Sequence, residues 1–359
     1  MKKKKTTSTS KVESIDDIFS KMNDLNNEDM LVRNGVDAIN DGLIYKTSGV
    51  YALDWIVSNG RGLPKGKMIE IFGPENCGKT ALTSCIFSKW QKDGKVVMLD
   101  YEHRYNIEYA ISHGVNKDKL IFIQPRSGEK GLELVERRIV KATGVEVVAI
   151  DSIPAIVTKQ EMKGDYGDAN IGAQAKLVTQ FVRQLSGRLR RDSPLIILVN
   201  QLRDAVGDMF KNEKTPGGRA MKFFVSLRIN MRKKTKIKDG NEVIGHNIKI
   251  SIEKSSIGPA HKEIEVPFYY STGFDNYPFI LSMAKDVGMF KSSAFHLNEK
   301  ESISESKVEN SRKLQYKVWK EILRRINSKE EEPANEEETK VVEYKLNSTG
   351  VRGEGEIPQ

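Results

Sequence analysis

The sequence predicts an α/β fold whose mostly parallel central sheet is extended by antiparallel strands. Two observations support this class: apolar runs alternate with helical patterns up to about residue 199, and three strand-like stretches with polar turns follow. The apolar runs are Met68–Phe72, Val96–Leu99, Leu120–Ile123, Val145–Ile150 and Leu195–Val199. Strands that alternate with helices need crossover connections, which lay the strands parallel in one sheet.

Each element follows from a local pattern. The first, fourth and fifth runs are almost continuously apolar, as expected for strands that are covered on both faces. Helical patterns fit at about 79–91, 106–113, 130–142 and 171–191. The three later stretches, 227–234, 246–254 and 262–270, are predicted to be antiparallel additions to the sheet.

Composition divides the chain into five segments. The first is Lys-rich and then Ser/Thr-rich, and it is predicted to be disordered because it has little apolar surface to bury. The second begins with an amphipathic helix at about 15–24, with Ile15, Ile18, Phe19 and Met22 on one face. A small C-terminal α+β domain and an acidic flexible tail follow the α/β core. The predicted segments are 1–14, 15–40, 41–273, 274–327 and 328–359.

The overall composition excludes several classes of protein. With 38% hydrophobic and 30% charged residues, the chain is neither collagen-like nor wholly disordered. No run of 18 apolar residues exists, so no membrane association is expected, and the Lys-rich start does not fit a secretory signal. Two cysteines, Cys77 and Cys85, are too few for a disulfide framework, and a cytoplasmic location is expected. No Cys/His cluster has zinc spacing.

The net charge of +9 is unevenly distributed along the chain. From Ser328 to the end, nine Glu outweigh four Lys and Arg, so this tail carries −5 and the rest +14. Between Arg203 and Lys238 eleven Lys and Arg against three Asp and Glu give a local +8. The distribution suggests a polyanionic partner and a tail that competes with it. On charge alone, a solvated surface with a solubilising tail explains the pattern at least as well.

The strongest motif is a phosphate-binding loop. The pattern G-x-x-x-x-G-K-[ST] is matched by Gly73, Pro74, Glu75, Asn76, Cys77, Gly78, Lys79 and Thr80. Glycines let backbone N–H groups surround phosphates, and the helix that follows supplies partial positive charge. Lys79 is predicted to reach the β- and γ-phosphates and Thr80 to bind Mg²⁺. Because Cys77 lies near the start of a helix, a lowered thiol pKa is expected.

Three further strand ends carry candidate polar groups. Asp151 ends an apolar strand and, coupled to the phosphate loop, is predicted to hold Mg²⁺ through water. Asp100 and Glu102 follow the run Val96–Leu99, the first strand after the phosphate loop, and either carboxylate could deprotonate an attacking water. Spacing does not choose between these two. At the end of the fifth run, Asn200 and Gln201 could contact a γ-phosphate or simply cap the strand.

The order and spacing of these motifs resemble those of bacterial RecA recombinases, including phage-encoded members. The matching segments are Gly60–Gly66, Gly73–Thr80, Glu102–His103, Asp151–Ser152, Asn200–Arg203 and Thr215–Gly218. The resemblance covers about residues 40–275, roughly two-thirds of the chain. The Glu102–His103 pair together with Asn200–Gln201 separates this family from helicases that share only the phosphate loop. The resemblance implies a RecA-like P-loop ATPase core, with ATP and Mg²⁺ as cofactors.

The same resemblance assigns roles around the nucleotide. Glu102 would be the base that activates water, and Gln201 would couple the γ-phosphate to the second DNA-binding loop. Tyr109 would stack on adenine, with Asn106 near its edge. Lys254 would reach across a subunit interface toward the ATP of a neighbour.

The resemblance also implies two DNA-binding loops, at 162–171 and 203–222, and a helical filament. The helix at 15–24 would pack on a neighbouring subunit and build that homo-oligomer. Residues implied to face single-stranded or double-stranded DNA are Met162, Gly164, Arg203, Gly217, Gly218 and Arg219. Met209 and Phe210 either wedge against bases or pack under the loop, and both interpretations stay open. DNA held through its backbone would be bound with little sequence preference.

The sequence departs from the family pattern in three places. Asn106 replaces an Asp beside the adenine, and Ser256 replaces the second of two interface lysines. With one cation fewer, ATP is expected to be coupled more weakly to assembly. The second loop is one residue shorter and contains Pro216, which restricts its conformations.

An ATP-dependent DNA strand-exchange protein, active in recombination and repair, is the function that these features favour. The alternative is a recombination mediator or regulatory ATPase on the same core, without strand exchange. The acidic tail and the reduced lysine pair favour that alternative. A hexameric helicase is disfavoured, because the N-terminal helix and the Glu102–His103 pair suit a filament.

Overall fold

The computed structural model describes residues 42–165, 172–204 and 213–330. The chain forms two compact units, the first ending at Asp275 and the second beginning at Asn276. The predicted disordered start, the helix at 15–24 and the tail beyond residue 330 lie outside the described residues. Within the described ranges, no helix is long and apolar enough to cross a membrane.

The first unit is built on a mixed sheet of nine strands among its described residues. In spatial order, β10, β3, β7, β6, β4 and β5 are parallel to one another. Strands β11, β12 and β13 continue from β10 in antiparallel pairs. Two short pairs, β1–β2 and β8–β9, lie outside this sheet. The strands are β1 (Tyr45–Lys46), β2 (Leu63–Pro64), β3 (Met68–Gly73), β4 (Lys95–Asp100), β5 (Leu120–Ile123), β6 (Val145–Asp151), β7 (Leu195–Gln201), β8 (Arg203–Asp204), β9 (Glu213–Lys214), β10 (Leu227–Asp239), β11 (Glu242–Ser255), β12 (Glu263–Tyr269) and β13 (Gly273–Phe274).

Seven α-helices accompany these strands in the described part of the first unit. Four of them, α2, α3, α4 and α6, confirm the predicted helical patterns with somewhat shorter bounds; α4, for example, ends before a 3₁₀ turn at Ile139–Lys141. The helices are α1 (Tyr51–Ser58), α2 (Lys79–Trp90), α3 (Ile107–Ser112), α4 (Gly128–Arg137), α5 (Lys159–Lys163), α6 (Ala173–Arg188) and α7 (Gly218–Phe224).

One sequence-based expectation about the sheet is wrong. The stretch that begins at Leu227 is not simply an antiparallel addition, because β10 pairs parallel with β3 from Leu227 opposite Ile69 to Asn230 opposite Phe72. It is antiparallel only to β11. The short helix α7 supplies the crossover from β7, and seven residues show too little periodicity to reveal a helix.

The core lies between the parallel strands and the helices that cover them. Every residue of β3 and β6 is buried, as the continuous apolar runs predicted. The buried faces of α4 and α6 pack on one side through Leu132, Val135, Val178, Phe181, Val182 and Leu185. Burial of each such side chain contributes about 1.5–3 kcal/mol to stability. This rigid sheet positions the loops at its carboxyl edge, where ligands of open α/β sheets bind.

The second unit combines helices with a small sheet, which confirms the predicted α+β class. Strands β14 (Phe290–Lys291), β15 (Ala294–His296) and β16 (Ser302–Ser304) form an antiparallel sheet. The helices of its described residues are α8 (Tyr277–Asp286), α9 (Glu305–Glu309) and α10 (Arg312–Glu330). Phe295, Val318, Trp319 and Ile322 are buried inside this unit, and Phe279 packs against Trp319 with ring centroids 5.6 Å apart.

Candidate nucleotide and nucleic-acid site

The phosphate loop joins β3 to α2 through two glycines that the geometry requires. Gly73 touches the neighbouring strand so closely that a Cβ would lie 2.1 Å from the carbonyl oxygen of Met231. Gly78, the residue before α2, has φ of 90°, a left-handed conformation that side chains other than glycine rarely adopt. The loop therefore presents its backbone N–H groups at the start of a twelve-residue helix, as phosphate binding needs.

Lys79 is held inside the loop that it follows. Its side chain is buried, and Nζ donates hydrogen bonds to the carbonyl oxygens of Gly73 (3.1 Å) and Pro74 (2.7 Å). An ammonium fixed on the two carbonyls that open the loop lies beside the space that the loop encloses. This position suits the predicted contact with the β- and γ-phosphates.

Thr80 and Asp151 come together as the predicted Mg²⁺ site requires. Thr80 Oγ1 donates to Asp151 Oδ2 over 3.2 Å. Burial, together with the nearby Glu102 charge, raises the pKa of Asp151 to about 6, although the bond from Thr80 opposes the rise. A buried carboxylate beside other carboxylates would gain from a cation.

The donor set fits Mg²⁺ in particular. Among the described residues, no group of three or more His, Cys, Asp or Glu side chains is arranged as a metal cage. Mg²⁺ usually keeps several waters and binds through one or two protein oxygens plus substrate phosphates. Thr80 and Asp151 can supply those protein oxygens, so the residues present fit a magnesium nucleotide.

Glu102 lies between two hydrogen-bond donors from neighbouring strand ends. Gln201 Nε2 donates to Glu102 Oε1 over 2.7 Å, and Ser152 Oγ donates to the same oxygen. Gln201 ends β7, Ser152 follows β6, and Glu102 follows β4. The parallel register of the sheet thus brings together three polar side chains that lie far apart in sequence.

Asp100 differs from Glu102 in its surroundings. Its side chain is 1% exposed, and its oxygens accept bonds from the backbone of Arg104 and Tyr105 and from Gln124 Nε2. Asp100 thus holds the loop after β4 in place. Of the two carboxylates that spacing left open, Glu102 lines the cavity beside the phosphate loop and Asp100 does not. The role of Glu102 as a base stays a prediction.

A cavity of about 450 Å³ opens beside the phosphate loop. Its wall includes five residues that the sequence did not single out: one from α2, one from the loop after β4, one from β10, one from β12 and the residue that follows β12. Sheet pairing brings Lys233, Phe268 and Tyr270 to the cavity, so the phosphate-loop motif could not reveal them. The aromatic run Phe268–Tyr270 was a local hint. The cavity is lined by Glu75, Asn76, Gly78, Lys79, Thr80, Ala81, Glu102, Arg104, Tyr109, Asp151, Gln201, Lys233, Phe268 and Tyr270.

The aromatic wall of the cavity is supported by two histidines. The rings of Tyr109 and His113 lie 4.1 Å apart, and His246 Nδ1 shares a hydrogen bond of 2.7 Å with the Tyr270 hydroxyl. Burial, with the charges of two nearby lysines, lowers the pKa of His246. Asn106, expected near adenine, accepts a bond from Tyr109 N and thereby caps α3. Adenine stacking on Tyr109 stays a prediction.

The expectation for the Cys77 thiol is wrong. Cys77 is 1% exposed, and its burial raises the thiol pKa more than the nearby Lys79 charge lowers it. Its Sγ would lie 2.9 Å from a Cβ placed on Gly73, so the side chain packs beneath the loop. Desolvation therefore outweighs the effect of the helix start on which the sequence argument rested.

Lys254 makes contacts within its own chain. Its Nζ donates to the carbonyl oxygens of Lys222 (2.8 Å), Phe223 (2.8 Å) and Val225 (2.9 Å), at the end of α7. These three bonds use all of its donors and link β11 to the helix that follows the second predicted DNA loop. A contact with a neighbouring subunit, as predicted, requires the side chain to leave this position.

The residues predicted to bind DNA are only partly described. Met162 lies in α5 and is 55% exposed, and Gly164 follows that helix. Gly217, with φ of 93°, precedes α7, and Gly218 begins it. Arg203 and Arg219 have described backbones in β8 and α7, whereas Met209 and Phe210 lie outside the described residues. A Cβ on Gly217 would lie within 3.4 Å of both Val178 and Ile153, so the end of the second loop packs against α6 and the turn that follows β6.

The phosphate loop joins β3 to α2, and Asp151 ends β6, the second strand along the sheet from β3. This arrangement defines a phosphate-loop nucleotide-binding protein. The family model described as RecA N-terminal domain matches residues 14–275, and this chain belongs to that family. It is 38% identical over 269 residues to Protein RecA of Bacillus thuringiensis (strain Al Hakam), covering 74% of this chain and 78% of the relative. Protein RecA of Brevibacillus brevis is also 38% identical, with 74% and 76% covered. Protein RecA of Halalkalibacterium halodurans is 38% identical over 249 residues, with 69% and 71% covered.

Proposed function

We propose that this chain is an ATP-dependent homologous recombination protein. It forms helical filaments on single-stranded DNA and catalyses homologous pairing and strand exchange with duplex DNA. The observation that carries this proposal is the contact between Glu102 and Gln201, which joins the nucleotide cavity to the strand that leads into the second loop. Membership of the RecA family supports a DNA-dependent ATPase of this general kind.

The proposed hydrolysis uses groups that surround the cavity. Glu102 accepts a proton from the attacking water, while Lys79 stabilises negative charge on the transferred phosphoryl group. Thr80 and Asp151 hold Mg²⁺, which when bound neutralises charge on the phosphate oxygens. Tyr109 offers a ring face for the adenine.

Gln201 gives the site a means of sensing the nucleotide. Its amide donates to Glu102 and can instead donate to a γ-phosphate. A switch between these acceptors would free the Glu102 carboxylate for water and shift the end of β7. Because β8 and the second loop follow Gln201 directly, that shift would reach the DNA-binding residues.

The proposed DNA track consists of the two loops. Its residues are Met162, Gly164, Arg203, Met209, Phe210, Gly217, Gly218 and Arg219. Main-chain N–H groups and cations in such loops bind phosphates without reading sequence, so affinity should fall steeply with salt. Lys254 and the helix at 15–24 are proposed to act between subunits of the filament.

The first experiment measures phosphate release by the full chain with and without single-stranded DNA. We expect DNA to accelerate hydrolysis, and Glu102→Gln to reduce turnover by about 10²–10⁴-fold while magnesium-nucleotide binding persists. Glu108→Gln, which changes an exposed carboxylate on α3, is the matched control and should retain activity. Hydrolysis that DNA leaves unchanged would contradict the proposal.

A second experiment tests assembly and strand exchange. Electron microscopy of the chain with single-stranded DNA and a non-hydrolysable ATP analogue should show continuous helical filaments. Closed rings would refute the proposed filament assembly. A strand-exchange assay on the same samples should yield a joint product from homologous duplex. If filaments form but no joint product appears, the result would contradict strand exchange and support the alternative function of a recombination mediator.

A further inference from the structure

A charged residue lies in the middle of the most central apolar strand. Glu70 is flanked by Ile69 and Ile71 in β3, and its side chain is 0% exposed. Arg228 Nε donates to Glu70 Oε2 over 2.5 Å, and Asn200 Nδ2 donates to Glu70 Oε1 over 2.8 Å. Three adjacent strands, β10, β3 and β7, are therefore joined by one buried carboxylate.

These side chains also hold the end of the second loop. Asn200 Nδ2 donates to the carbonyl oxygen of Pro216 over 2.9 Å, and Arg228 Nη2 lies 3.4 Å from Thr215 Oγ1. Thr215 and Pro216 precede Gly217, where α7 is capped. A single side chain, that of Asn200, thus connects the buried carboxylate to the backbone that closes the loop.

The other side of the network touches the nucleotide site. Asn200 Oδ1 accepts a bond of 2.9 Å from the backbone N–H of Gln201, the residue that contacts Glu102. The Arg228 guanidinium stacks on Phe72 at 4.4 Å, and Phe72 immediately precedes the phosphate loop. The network therefore contacts both chain segments that lead into the cavity.

Stability alone does not account for a buried ion pair at this position. Removing two charges from water costs free energy that their attraction only partly returns, and apolar residues of similar volume are often at least as stabilising. The ion pair does impose a specific geometry, because Arg228 and Asn200 donate to different oxygens of the Glu70 carboxylate. A geometric role is therefore the better explanation of Glu70.

We propose that Glu70 is a positioning residue that, through Asn200 and Arg228, locks the end of the second loop to the phosphate-loop strand and so transmits the nucleotide state to that loop. This inference rests on the proposed function. A nucleotide that moves Gln201 would move Asn200 with it, and Asn200 would carry Pro216. Glu70 would be the fixed point against which this movement acts.

The test compares Glu70→Gln with a matched change in another buried strand of the same sheet. Glu146 is also buried, at 6% exposed, and paired, with Lys46 at 2.7 Å and Lys65 at 3.0 Å, but it lies near the start of β6. Glu146→Gln thus removes a similar ion pair far from both loops. For each full-length variant, the affinity for a fluorescent ADP analogue and the DNA-stimulated and basal rates of phosphate release are measured.

We expect Glu70→Gln to bind the analogue with wild-type affinity. Its ratio of DNA-stimulated to basal phosphate release should be about tenfold lower than in wild type, whereas Glu146→Gln should keep the wild-type ratio. Full acceleration in Glu70→Gln would overturn the inference. Equal loss in both variants would also overturn it, because any lost ion pair would then have the same effect. If wild type shows no acceleration, the proposed function fails instead.

A second variant covers the case in which Glu70→Gln does not fold, because the buried Arg228 cation would then keep only its pair with the part-exposed Glu253, at 3.2 Å. The double substitution Glu70→Gln with Arg228→Met removes both charges and keeps most of the volume. We expect it to fold, to bind the analogue and to remain uncoupled from DNA. A folded double variant with wild-type acceleration would refute the role of Glu70.

Discussion

Gln201 Nε2 donates to Glu102 Oε1 over 2.7 Å, across two strand ends that are 99 residues apart in sequence. Ser152 Oγ donates to the same oxygen, so the carboxylate is fixed from two sides. The contact thus ties the orientation of the proposed base to the position of Gln201.

This contact gives the first prediction. Gln201→Met keeps the side-chain volume but removes the amide, so DNA should no longer accelerate hydrolysis, with a loss of about tenfold or more. Nucleotide affinity should change little. Gln124→Met is the matched control, because Gln124 also donates to a carboxylate, Asp100, but does not line the cavity. Phosphate release measured over a DNA titration checks this, and equal effects of the two variants would contradict it.

The second prediction concerns pH and Asp151, whose pKa burial raises to about 6. Below that pH the side chain is protonated and must lose its proton before it can hold Mg²⁺. Magnesium-nucleotide affinity should therefore fall as pH drops below about 6, by at most about tenfold per pH unit. Titration with a fluorescent magnesium-ADP analogue from pH 5 to 8 measures this. Asp151→Asn should show only the weaker dependence of the nucleotide's own phosphates, and an unchanged slope would exclude Asp151 as its source.

Much of this site could be predicted from the sequence because its chemistry is local. Gly78 is needed for a left-handed backbone conformation within the loop, whereas Gly73 is also required by the close approach of Met231 on β10; the motif nevertheless marks both positions, and continuous apolar runs mark the buried strands. The sequence could not show which of Asp100 and Glu102 faces the nucleotide. The alternation of side chains holds only within a strand, and β4 ends at Asp100. The partner of Glu70 lies 158 residues away at Arg228, and only the parallel register of β3 and β10 brings them together.

The third prediction concerns stability and Asp54, a fully buried carboxyl group near the start of α1. Burial raises its pKa to about 6, although bonds from Thr47 and Ser48 oppose the rise. The folded chain therefore binds this proton more tightly than the unfolded chain does. The resulting stabilisation is complete below about pH 4 and is lost as pH rises through 6, a difference of about 2–3 kcal/mol. Thermal unfolding of wild type and Asp54→Asn at several pH values isolates this contribution, and parallel curves would show that Asp54 does not titrate in this range.

The fourth prediction concerns cysteine reactivity. Cys77 is buried with a raised thiol pKa, whereas Cys85 is half-buried. Maleimide should therefore modify Cys85 first, and Cys77 should react at least about tenfold more slowly, because the thiolate is the nucleophile. Mass spectrometry of timed samples at neutral pH resolves the two sites. Rapid labelling of Cys77 in folded protein would mean that the phosphate loop opens often enough to expose it.

The fifth prediction separates the base from the phosphates. Tyr109→Leu removes the ring that His113 supports, so affinity for ADP should fall about tenfold, as expected for the loss of one base–aromatic stack. Inorganic tripolyphosphate has no base, and its affinity should be unchanged. Tyr270→Phe keeps a ring in the cavity wall and loses only the bond to His246, so it serves as the milder comparison. Competition binding with both ligands gives the answer, and equal losses for the two ligands would place Tyr109 away from the base.

Met231 touches both ends of the phosphate loop: its carbonyl oxygen abuts Gly73, and its methyl carbon lies 3.7 Å from the position of a Cβ on Gly78. The Met231 side chain therefore packs directly against the loop that is proposed to bind phosphates. A methyl group in that position senses any change in the loop through its magnetic environment. Isotope labelling of methionine methyls would therefore turn Met231 into a built-in spectroscopic probe of nucleotide occupancy, without any foreign label in the site.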